Sequence, residues 1–357
     1  MTTVRFGIVG IGRRSLMGHI PTILHSERDV AVTALCSRSD ENLDRAAAML
    51  PNAPARFHEL DNMLADGEFD VAVICTPDFM HREHAVACLD AGKHVHVEKP
   101  LALSAADCDA IVHAAERAGR VLQVSLVYRY SSLFRKAAEI VRDGQIGRVR
   151  TAWCHEFAEY PNLYRGWHTH KPNNGGLLVT KNCHHFDLLN WMIDRPARRV
   201  AAFGSNDVMN PGSAVHDNAW VIIDYDGARA SLGSCIFSRY GNDVTLGVIG
   251  DGGIMAVMLD THEIHIHPRE PFAETDTVFP QGLPSPAYRK VTIERATEYT
   301  GYGHQGDARA LAELLECIET GQRPSADGHV GRACTVLGLA AERSCETGQV
   351  VSIDDLE

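Results

Sequence analysis

The chain has 357 residues, of which 45% are hydrophobic and 22% are charged, a composition typical of a folded globular protein with room for two domains. Its formal net charge of -12, with no block of Lys and Arg, argues against nucleic acid as a partner. No apolar run approaches the ~18 residues of a membrane span, no export signal precedes the first apolar run, and ten cysteines without a CxxC pair indicate buried thiols, so we expect a cytoplasmic protein that does not bind membranes.

Residues 3–123 alternate short apolar runs typical of strands with segments whose apolar residues recur at helical spacing. The expected strands are Val4–Val9, Val30–Cys36, Val71–Cys75, His94–Val97 and Val121–Ser125, and the expected helices are 16–26, 40–49, 58–66, 80–91 and 104–118. This βαβ alternation predicts an α/β domain over residues 1–125, built on a doubly wound parallel sheet.

The pattern changes beyond residue 130, where strand-like runs dominate and turn signals separate them. The expected strands are 148–160, 198–204, 218–225, 228–238, 243–250, 253–258 and a short one at 350–353, and the expected helices are 131–143, a helix near 180–193, 305–320 and 329–346. The pattern predicts an α+β domain over residues 126–357 with a mostly antiparallel sheet.

A glycine-rich turn follows the first expected strand. Gly10 and Gly12 take the first two positions of a GxGxxG fingerprint, and Ser15 replaces the third glycine. In such a turn the glycines let a pyrophosphate approach the backbone at a helix N-terminus. Arg13 and Arg14 could bracket the phosphates, with a solvated surface role as the alternative. Because the turn follows the first strand of a βαβ unit, it predicts dinucleotide binding.

The end of the second expected strand bears on the choice between NAD and NADP. A carboxylate there would bind the ribose 2′-hydroxyl of NAD, but this chain offers Ser37 and Arg38. A hydroxyl and a guanidinium favour the 2′-phosphate of NADP. Asp40 is close enough in sequence to keep NAD open, so we favour NADP slightly over NAD.

Two later strand ends carry further site candidates, because loops at the carboxyl edge of such a sheet border the cofactor crevice. Thr76 and Pro77 are expected cofactor contacts. Glu98 and Lys99, before Pro100, are also expected there. A lysine at this position can bind the reacting oxygen of a substrate, polarise its carbonyl and relay a proton.

The segment from Gly175 to Trp191 is the densest in polar residues. If a helix begins at about Lys181 with Thr180 as its N-cap, then Thr180, His184 and Asp187 lie on or near one face, where we expect them to contact the substrate. His184 is the better candidate base because an imidazole titrates near neutrality. Adjacent helical residues point about 100° apart and no second ligand cluster exists, so we expect no metal site.

Aromatic residues near 150–170 are candidates for stacking on a sugar ring, although such residues more often belong to a core or rim. Trp167 is the one assigned to substrate, beside Trp153 and Tyr164. His304 could reach a sugar hydroxyl. Glu263, His265 and His267 alternate on one expected strand face, which favours a solvated or subunit-facing surface over a metal triad.

These motifs together resemble the Gfo/Idh/MocA family, named for glucose-fructose oxidoreductase and inositol dehydrogenase. The resemblance spans essentially the whole chain, and the Glu-Lys-Pro motif together with the Gly-Gly…His-x-x-Asp segment is its specific part. It is carried by Gly10-x-Gly12, Thr76-Pro77, Glu98-Lys99-Pro100, Tyr128-Arg129-Tyr130-Ser131, Gly144-Gln-Ile-Gly147, the Gly175–Asp187 segment and Gly348-Gln-Val-Val-Ser-Ile353.

The resemblance implies an N-terminal Rossmann domain and a C-terminal substrate-binding domain whose large open-faced sheet has helices on the cofactor side. It also implies a homodimer or homotetramer formed through the outer face of that sheet. The implied activity is NAD(P)-dependent oxidation or reduction of a sugar, polyol or related carbinol. Lys99 and the histidine matching His184 are implied to lie in the site.

The chain departs from the family pattern at one position. Many members carry an aspartate four residues before the site histidine, whereas this chain has Thr180 followed by Lys181. Thr180 cannot hold a negative charge, and Lys181 would lower the pKa of a nearby imidazole if it faced the site. We therefore expect Thr180 and Lys181 to shape specificity, with the hypothesis that Lys181 pairs with a carboxylated or phosphorylated sugar.

The predicted function is hydride transfer between nicotinamide and a carbinol or ketone carbon of a sugar, polyol or sugar derivative. Lys99 binds and polarises the reacting oxygen, and His184 takes the proton. One alternative keeps the fold but retains and recycles the cofactor, cleaving glycosides or epimerising through a transient ketone. Another is a dinucleotide-binding sensor without catalysis, which Thr180 makes plausible and which the retention of Lys99 and His184 argues against.

Overall fold

The computed structural model describes residues 3–160, 166–211, 213–238, 243–269, 288–295 and 306–356. Its first part is a parallel sheet of six strands that alternate with helices. The strands are β1 (Val4–Val9), β2 (Val30–Cys36), β3 (Ala55–Phe57), β4 (Val71–Ile74), β5 (His94–Val97) and β6 (Leu122–Val124), and the helices are α1 (Ile20–Leu24), α2 (Asp40–Ala47), α3 (Leu60–Asp66), α4 (His81–Asp90) and α5 (Ala105–Ala118). The strand order β3-β2-β1-β4-β5-β6 reverses between β1 and β4, and ligands bind at such a switch point.

The second part is a nine-stranded sheet with four helices. The strands are β7 (Val149–Phe157), β8 (Ala197–Ser205), β9 (Asn218–Tyr225), β10 (Ala228–Cys235), β11 (Asp243–Gly250), β12 (Gly253–Met258), β13 (Glu263–Pro268), β14 (Arg289–Thr292) and β15 (Val351–Ser352), and the helices are α6 (Ser132–Arg142), α7 (Cys183–Ile193), α8 (Asp307–Thr320) and α9 (Gly328–Thr347). The strand order is β14-β13-β12-β11-β7-β10-β9-β8-β15. Its described pairs are antiparallel except β7 with β10, which run parallel.

The predicted fold class is confirmed: a Rossmann-like parallel sheet precedes a mostly antiparallel one. Two strands, β3 and β14, were not predicted. β3 has only three residues, of which two are exposed, so it carries no hydrophobic period. β14 has no buried residue and pairs only with β13 at the edge of the second sheet.

The second sheet is covered on one face and open on the other. Buried residues alternate with exposed ones along β9, as expected for a sheet with one solvated face. On the open face Phe203, Trp220 and Ile222 are 78%, 53% and 52% exposed. These three residues form an apolar patch, which we call the open-face patch.

Helix α8 packs on the first sheet although it belongs to the last part of the chain. Leu311, Leu314 and Leu315 of α8 share a buried cluster with Phe6 and Ile8 of β1. A division of the chain at residue 125 does not capture this return, because α8 completes the core of the first domain. The return also brings α8 to the edge of the predicted cofactor crevice.

Candidate active site

The glycine turn after β1 is shaped by close contact with the loop after β4. Gly10 has φ +89°, and a Cβ there would lie 2.8 Å from the backbone of Cys75 and Thr76. A Cβ on Gly12 would meet nothing within 4 Å. Ser15 Oγ accepts the Gly12 N–H at 2.8 Å, so it stabilises the turn as well as fitting beneath it. Gly10 is therefore required for packing, while Gly12 leaves room for a ligand.

A cavity of about 560 Å³ lies at the switch point, in the size range of a cofactor site. Most of the residues predicted to bind the dinucleotide line it: Gly10, Gly12, Arg13, Arg14, Ser37, Arg38, Thr76 and Pro77. Ser39, Asn42, His58 and His84 also line it, and Trp167 and His168 reach it from the second domain. The shape of the glycine turn and these donors fit a nicotinamide dinucleotide.

Arg14 has protein partners of its own. Its Nε donates to Glu98 Oε1 at 2.6 Å, and its guanidinium pairs with Asp307 at the start of α8. Glu98 also contacts His19 Nε2 at 2.8 Å. Burial raises the pKa of Glu98, but Arg14, His19 and Lys99 outweigh it and hold that pKa well below the usual value. Arg14 and Glu98 thus form a buried network beneath the pocket that ties α8 to the first domain.

Lys99 lies at the end of β5, where its side chain crosses to the second domain. Its Nζ donates to the Thr180 carbonyl oxygen at 2.8 Å, and the Lys99–Pro100 peptide bond is cis. His81 Nδ1 is 2.7 Å from the Pro100 carbonyl oxygen, and its Nε2 is 3.0 Å from that of Thr76. The fully buried His81 therefore links the loop after β4 to the loop that carries Lys99.

The helix that carries His184 begins later than predicted. Leu177–Lys181 forms a π-helical turn, and α7 starts at Cys183 with Asn182 as its N-cap. Thr180 therefore does not cap α7. Its hydroxyl accepts the Gly175 N–H at 2.9 Å and donates to Asp78 Oδ2 at 2.7 Å, which links the two domains.

His184 lies in the first turn of α7, three residues beyond the Lys181 that closes the π-helical turn. It is 8% exposed, and its ring centroid lies 5.0 Å from that of Tyr128. Lys99 contacts the carbonyl of Thr180, which lies four residues before His184 in the chain.

Lys181 forms an ion pair with Glu156, whereas the sequence hypothesis had it pair with an anionic substrate. Its Nζ donates to Glu156 Oε1 at 2.9 Å and lies 4.0 Å from the centroid of the Tyr160 ring. Burial raises the pKa of Glu156, but Lys181 and His185 outweigh it and lower that pKa to about 2. The Glu156 carboxylate compensates the charge of Lys181, so an anionic substrate would have to compete with an existing ion pair.

Asp187, in the first half of α7, is fully buried. Arg129 Nε donates to its two carboxylate oxygens at 2.7 and 2.9 Å. Arg129 in turn stacks on Trp191, 5.0 Å from the ring centroid. These contacts give Asp187 a role in packing α7, and its predicted contact with substrate stays a prediction.

His168 is a site residue that the sequence did not single out. Burial and the nearby charge of Lys99 lower the pKa of His168 to about 4, so the imidazole is neutral near pH 7. Its ring stacks on Trp167 with centroids 3.6 Å apart. Trp167 lines the cofactor pocket together with His168, and its predicted contact with a sugar ring stays a prediction. No sequence motif marks His168; only its approach to Lys99 does.

Some expectations concern residues or groups beyond this site. Tyr164 and His304 lie outside the described residues. Within the described ranges no three His, Cys, Asp or Glu side chains are placed to hold a metal ion, and His265 instead contacts Glu263 at 3.0 Å. No helix in the same ranges is long and apolar enough to cross a bilayer.

Comparison with known proteins identifies the family. The profile described as "Oxidoreductase family, NAD-binding Rossmann fold" matches residues 4–126, and the "GFO/IDH/MocA C-terminal domain" matches residues 134–256. The chain belongs to the Gfo/Idh/MocA family. It is an oxidoreductase with an NAD-binding Rossmann domain, and the resemblance drawn from the motifs is confirmed.

Similar proteins agree over the full length. The chain is 25% identical to a myo-inositol 2-dehydrogenase of Thermotoga maritima, with 99% of each chain covered. An oxidoreductase domain protein from Kribbella flavida has the same fold, with a TM-score of 0.86, 22% identity and coverage of 99% and 100%. A levoglucosan dehydrogenase in complex with NADH and levoglucosan matches with a TM-score of 0.83, 18% identity and coverage of 99% and 100%.

Proposed function

We propose that this family member oxidises a secondary alcohol of a sugar or polyol, or reduces the corresponding ketone, in the cleft between Lys99 and His184. The observation that carries the proposal is the crossing of Lys99 from β5 to the Thr180 carbonyl, 2.8 Å away, directly before the helix that holds His184. The similar myo-inositol and levoglucosan dehydrogenases support a carbohydrate substrate.

Each residue of the proposed site has a distinct role in the reaction. When bound, a nicotinamide dinucleotide supplies the hydride acceptor or donor. The Lys99 ammonium is placed to donate a hydrogen bond to the reacting oxygen, which stabilises negative charge as it develops there. The imidazole of His184 takes the hydroxyl proton during oxidation and returns it during reduction. Neutral His168 and Trp167 close the pocket side and exclude water.

The proposed cofactor is NADP in preference to NAD. Ser37 and Arg38 line the adenosine end of the pocket. Asp40, which kept NAD open at the sequence level, is not among the residues lining the pocket, and its Oδ1 lies 3.4 Å from His58 Nε2. A 2′-phosphate would therefore meet the Arg38 guanidinium without Asp40 competing for it, and Glu59 is the carboxylate that lines this pocket.

The proposed assembly and location follow from two other observations. The open-face patch leaves large apolar side chains exposed, which is typical of a protein interface, so we propose a homodimer or homotetramer formed through this sheet. Sedimentation velocity would measure it. All ten cysteines are free thiols, which supports a reducing compartment such as the cytoplasm.

The experiment that tests the function is a screen of sugars, sugar acids and polyols with both cofactors in both directions, followed by absorbance of the reduced nicotinamide. With the best substrate, Lys99→Met should lower kcat by ~10²- to 10⁴-fold while cofactor affinity changes little. Lys136→Met, on the surface of α6, is the matched control. A near-normal rate in Lys99→Met would contradict the mechanism, and turnover without net change in nicotinamide would favour the recycling alternative.

A further inference from the structure

The loop after β4 brings a buried carboxylate to the cleft. Asp78 is only 6% exposed, and its Oδ2 accepts a hydrogen bond from the Thr180 hydroxyl at 2.7 Å. The same hydroxyl accepts the Gly175 N–H at 2.9 Å through its oxygen, which leaves its hydrogen for the Asp78 carboxylate, a group with no hydrogen to donate. Thr180 therefore has to donate to residue 78, and residue 78 has to offer an oxygen acceptor.

Asp78 and Lys99 are connected through one residue of the second domain. The Thr180 carbonyl accepts from Lys99 Nζ at 2.8 Å, while the Thr180 hydroxyl donates to Asp78. A carboxylate of the first domain and an ammonium of the first domain thus hold the same residue from two sides. The connection fixes the π-helical turn 177–181 against the end of β5.

The charges around Asp78 come from three directions. Burial holds the pKa of its carboxyl above the usual value, and Glu98 adds to this, whereas the charges of His81 and Lys99 and the hydrogen bond from Thr180 partly offset it. From the second domain the facing groups are the Thr180 hydroxyl and the buried Cys183 thiol. Among these described neighbours Lys99 is the cation of the cleft itself, so the Asp78 carboxylate and Lys99 compensate each other electrostatically.

We propose that Asp78 is the positioning residue of this site: it supplies, from the first domain, the negative charge beside Lys99, and it orients Lys99 through Thr180. The inference rests on the proposed function. Many family members carry an aspartate where this chain has Thr180. The proposal explains how the site keeps a carboxylate, because the Thr180 hydroxyl binds that of Asp78. The contact joins residue 78 of the first domain to residue 180 of the second.

The charge and the hydrogen bond can be separated by substitution. In Asp78→Asn the amide oxygen still accepts from Thr180, so the fold and cofactor affinity should be kept while the charge is lost. We expect kcat to fall by ~10- to 100-fold, less than for a group that transfers the proton itself, with KM changed by less than about threefold. Asp61→Asn, on the surface of α3, is the matched control and should behave as wild type.

Moving the carboxylate gives a sharper test. Thr180→Asp places two carboxyl groups within hydrogen-bonding distance, so one retains its proton and the acidic limb of the pH–rate profile should move up by ~1 unit or more. The swap Asp78→Thr with Thr180→Asp restores one carboxylate and one hydroxyl with exchanged positions. We expect the swap to recover kcat to within about fivefold of wild type and to return the pH profile.

A second measurement does not depend on turnover. Trace acetylation followed by peptide mass spectrometry reports the reactivity of Lys99, because only the neutral amine reacts. Loss of the nearby negative charge in Asp78→Asn should raise the Lys99 labelling rate at pH 8 by about threefold or more, relative to Lys136 in the same sample. If no alcohol is turned over by wild type, the proposed function fails while this rate still decides the role of Asp78.

Two results would contradict the role proposed for Asp78. If Asp78→Asn matches wild type in kcat, pH profile and Lys99 labelling while Asp78→Ala is impaired, Asp78 is only a hydrogen-bond acceptor and the inference is wrong. It is also wrong if the swap is no more active than the better of its two single variants.

Discussion

The two sides of the cleft differ in how their residues obtain their roles. On the first domain, the candidate residues follow parallel strands, and the sheet topology alone brings Gly10, Thr76 and Lys99 to one edge. On the second domain, the segment 175–187 supplies its residues from a π-helical turn and the start of α7. There each role depends on a partner distant in sequence.

The partners divide that segment into functional and structural positions. Thr180 contacts the first domain through Asp78 and Lys99. Lys181 and Asp187, which are equally polar, are each neutralised inside the second domain, by Glu156 and Arg129. Polar density in a sequence therefore marks a buried polar network, and only long-range contacts show which of its members face the cleft.

The strongest test of this division is Asp187→Asn. Breaking the buried pair with Arg129 leaves a desolvated guanidinium without its counter-charge, so the free energy of unfolding should fall by ~3–5 kcal/mol. Urea unfolding at neutral pH measures it. KM and kcat of the protein that remains folded should stay within about threefold of wild type, because Asp187 is 0% exposed and Arg129 binds both of its carboxylate oxygens.

Asp194→Asn is the matched control at the other end of α7. Asp194 is exposed and has φ +50°, a conformation that asparagine also adopts readily, so stability should change by less than ~0.5 kcal/mol. A large rise in KM for Asp187→Asn with normal stability would show instead that Asp187 binds substrate, as the sequence suggested.

A second test concerns the pair of Glu156 and Lys181, through pH. The pKa of Glu156 is about 2 in the folded protein, and the ~4.3 of an unfolded chain lies above it. Its stabilisation is therefore complete above the unfolded pKa and is lost as pH falls through the folded pKa. Removing the charge in Glu156→Gln should cost ~3 kcal/mol at pH 7, and this difference from wild type should shrink by roughly 1.7 kcal/mol at pH 3.

Urea unfolding at pH 7 and pH 3 measures the difference. Glu159→Gln is the control, since Glu159 is an exposed carboxylate three residues along the chain. An equal cost for Glu156→Gln at both pH values would show that the carboxylate is not held ionised by Lys181. If Glu156→Gln binds an anionic sugar more tightly than wild type does, the freed Lys181 ammonium can reach the substrate.

The fold could be predicted from sequence because its periodicities are local. The strands β1, β2 and β5 have the predicted bounds, and the glycine turn lies where the βαβ pattern places it. The return of α8 to the first sheet could not be predicted, because an amphipathic helix does not specify which sheet its apolar face covers. The parallel pairing of β7 with β10 could not be predicted either, because the alternation of apolar residues along a strand does not specify its neighbour in the sheet.

The site was predictable to the extent that motifs fix positions at strand ends. Lys99 and the residues lining the cofactor cavity were found in this way, and they remain predictions as to role. Asp78, His81 and His168 were not assigned, since their significance lies in contacts with Thr180, Pro100 and Lys99. Thr180 was misread as a helix cap because the π-helical turn delays the start of α7 by two residues.

The smallest expected effect is on the first-domain side, at the adenosine end of the pocket. Arg38 is exposed there, so the proposed pairing with a 2′-phosphate would be partly screened by solvent. Arg38→Ala should weaken NADP⁺ binding by ~5- to 10-fold, equivalent to about 1–1.4 kcal/mol, while NAD⁺ binding changes by less than twofold.

Arg45→Ala is the control, because Arg45 lies on the exposed side of α2 away from the pocket. Titration of both cofactors by protein fluorescence measures the ratio. Equal weakening of NADP⁺ and NAD⁺ binding would mean that Arg38 contacts a group that the two cofactors share. The preference for NADP would then lose its basis, while the assignment of an NAD-binding domain would stand.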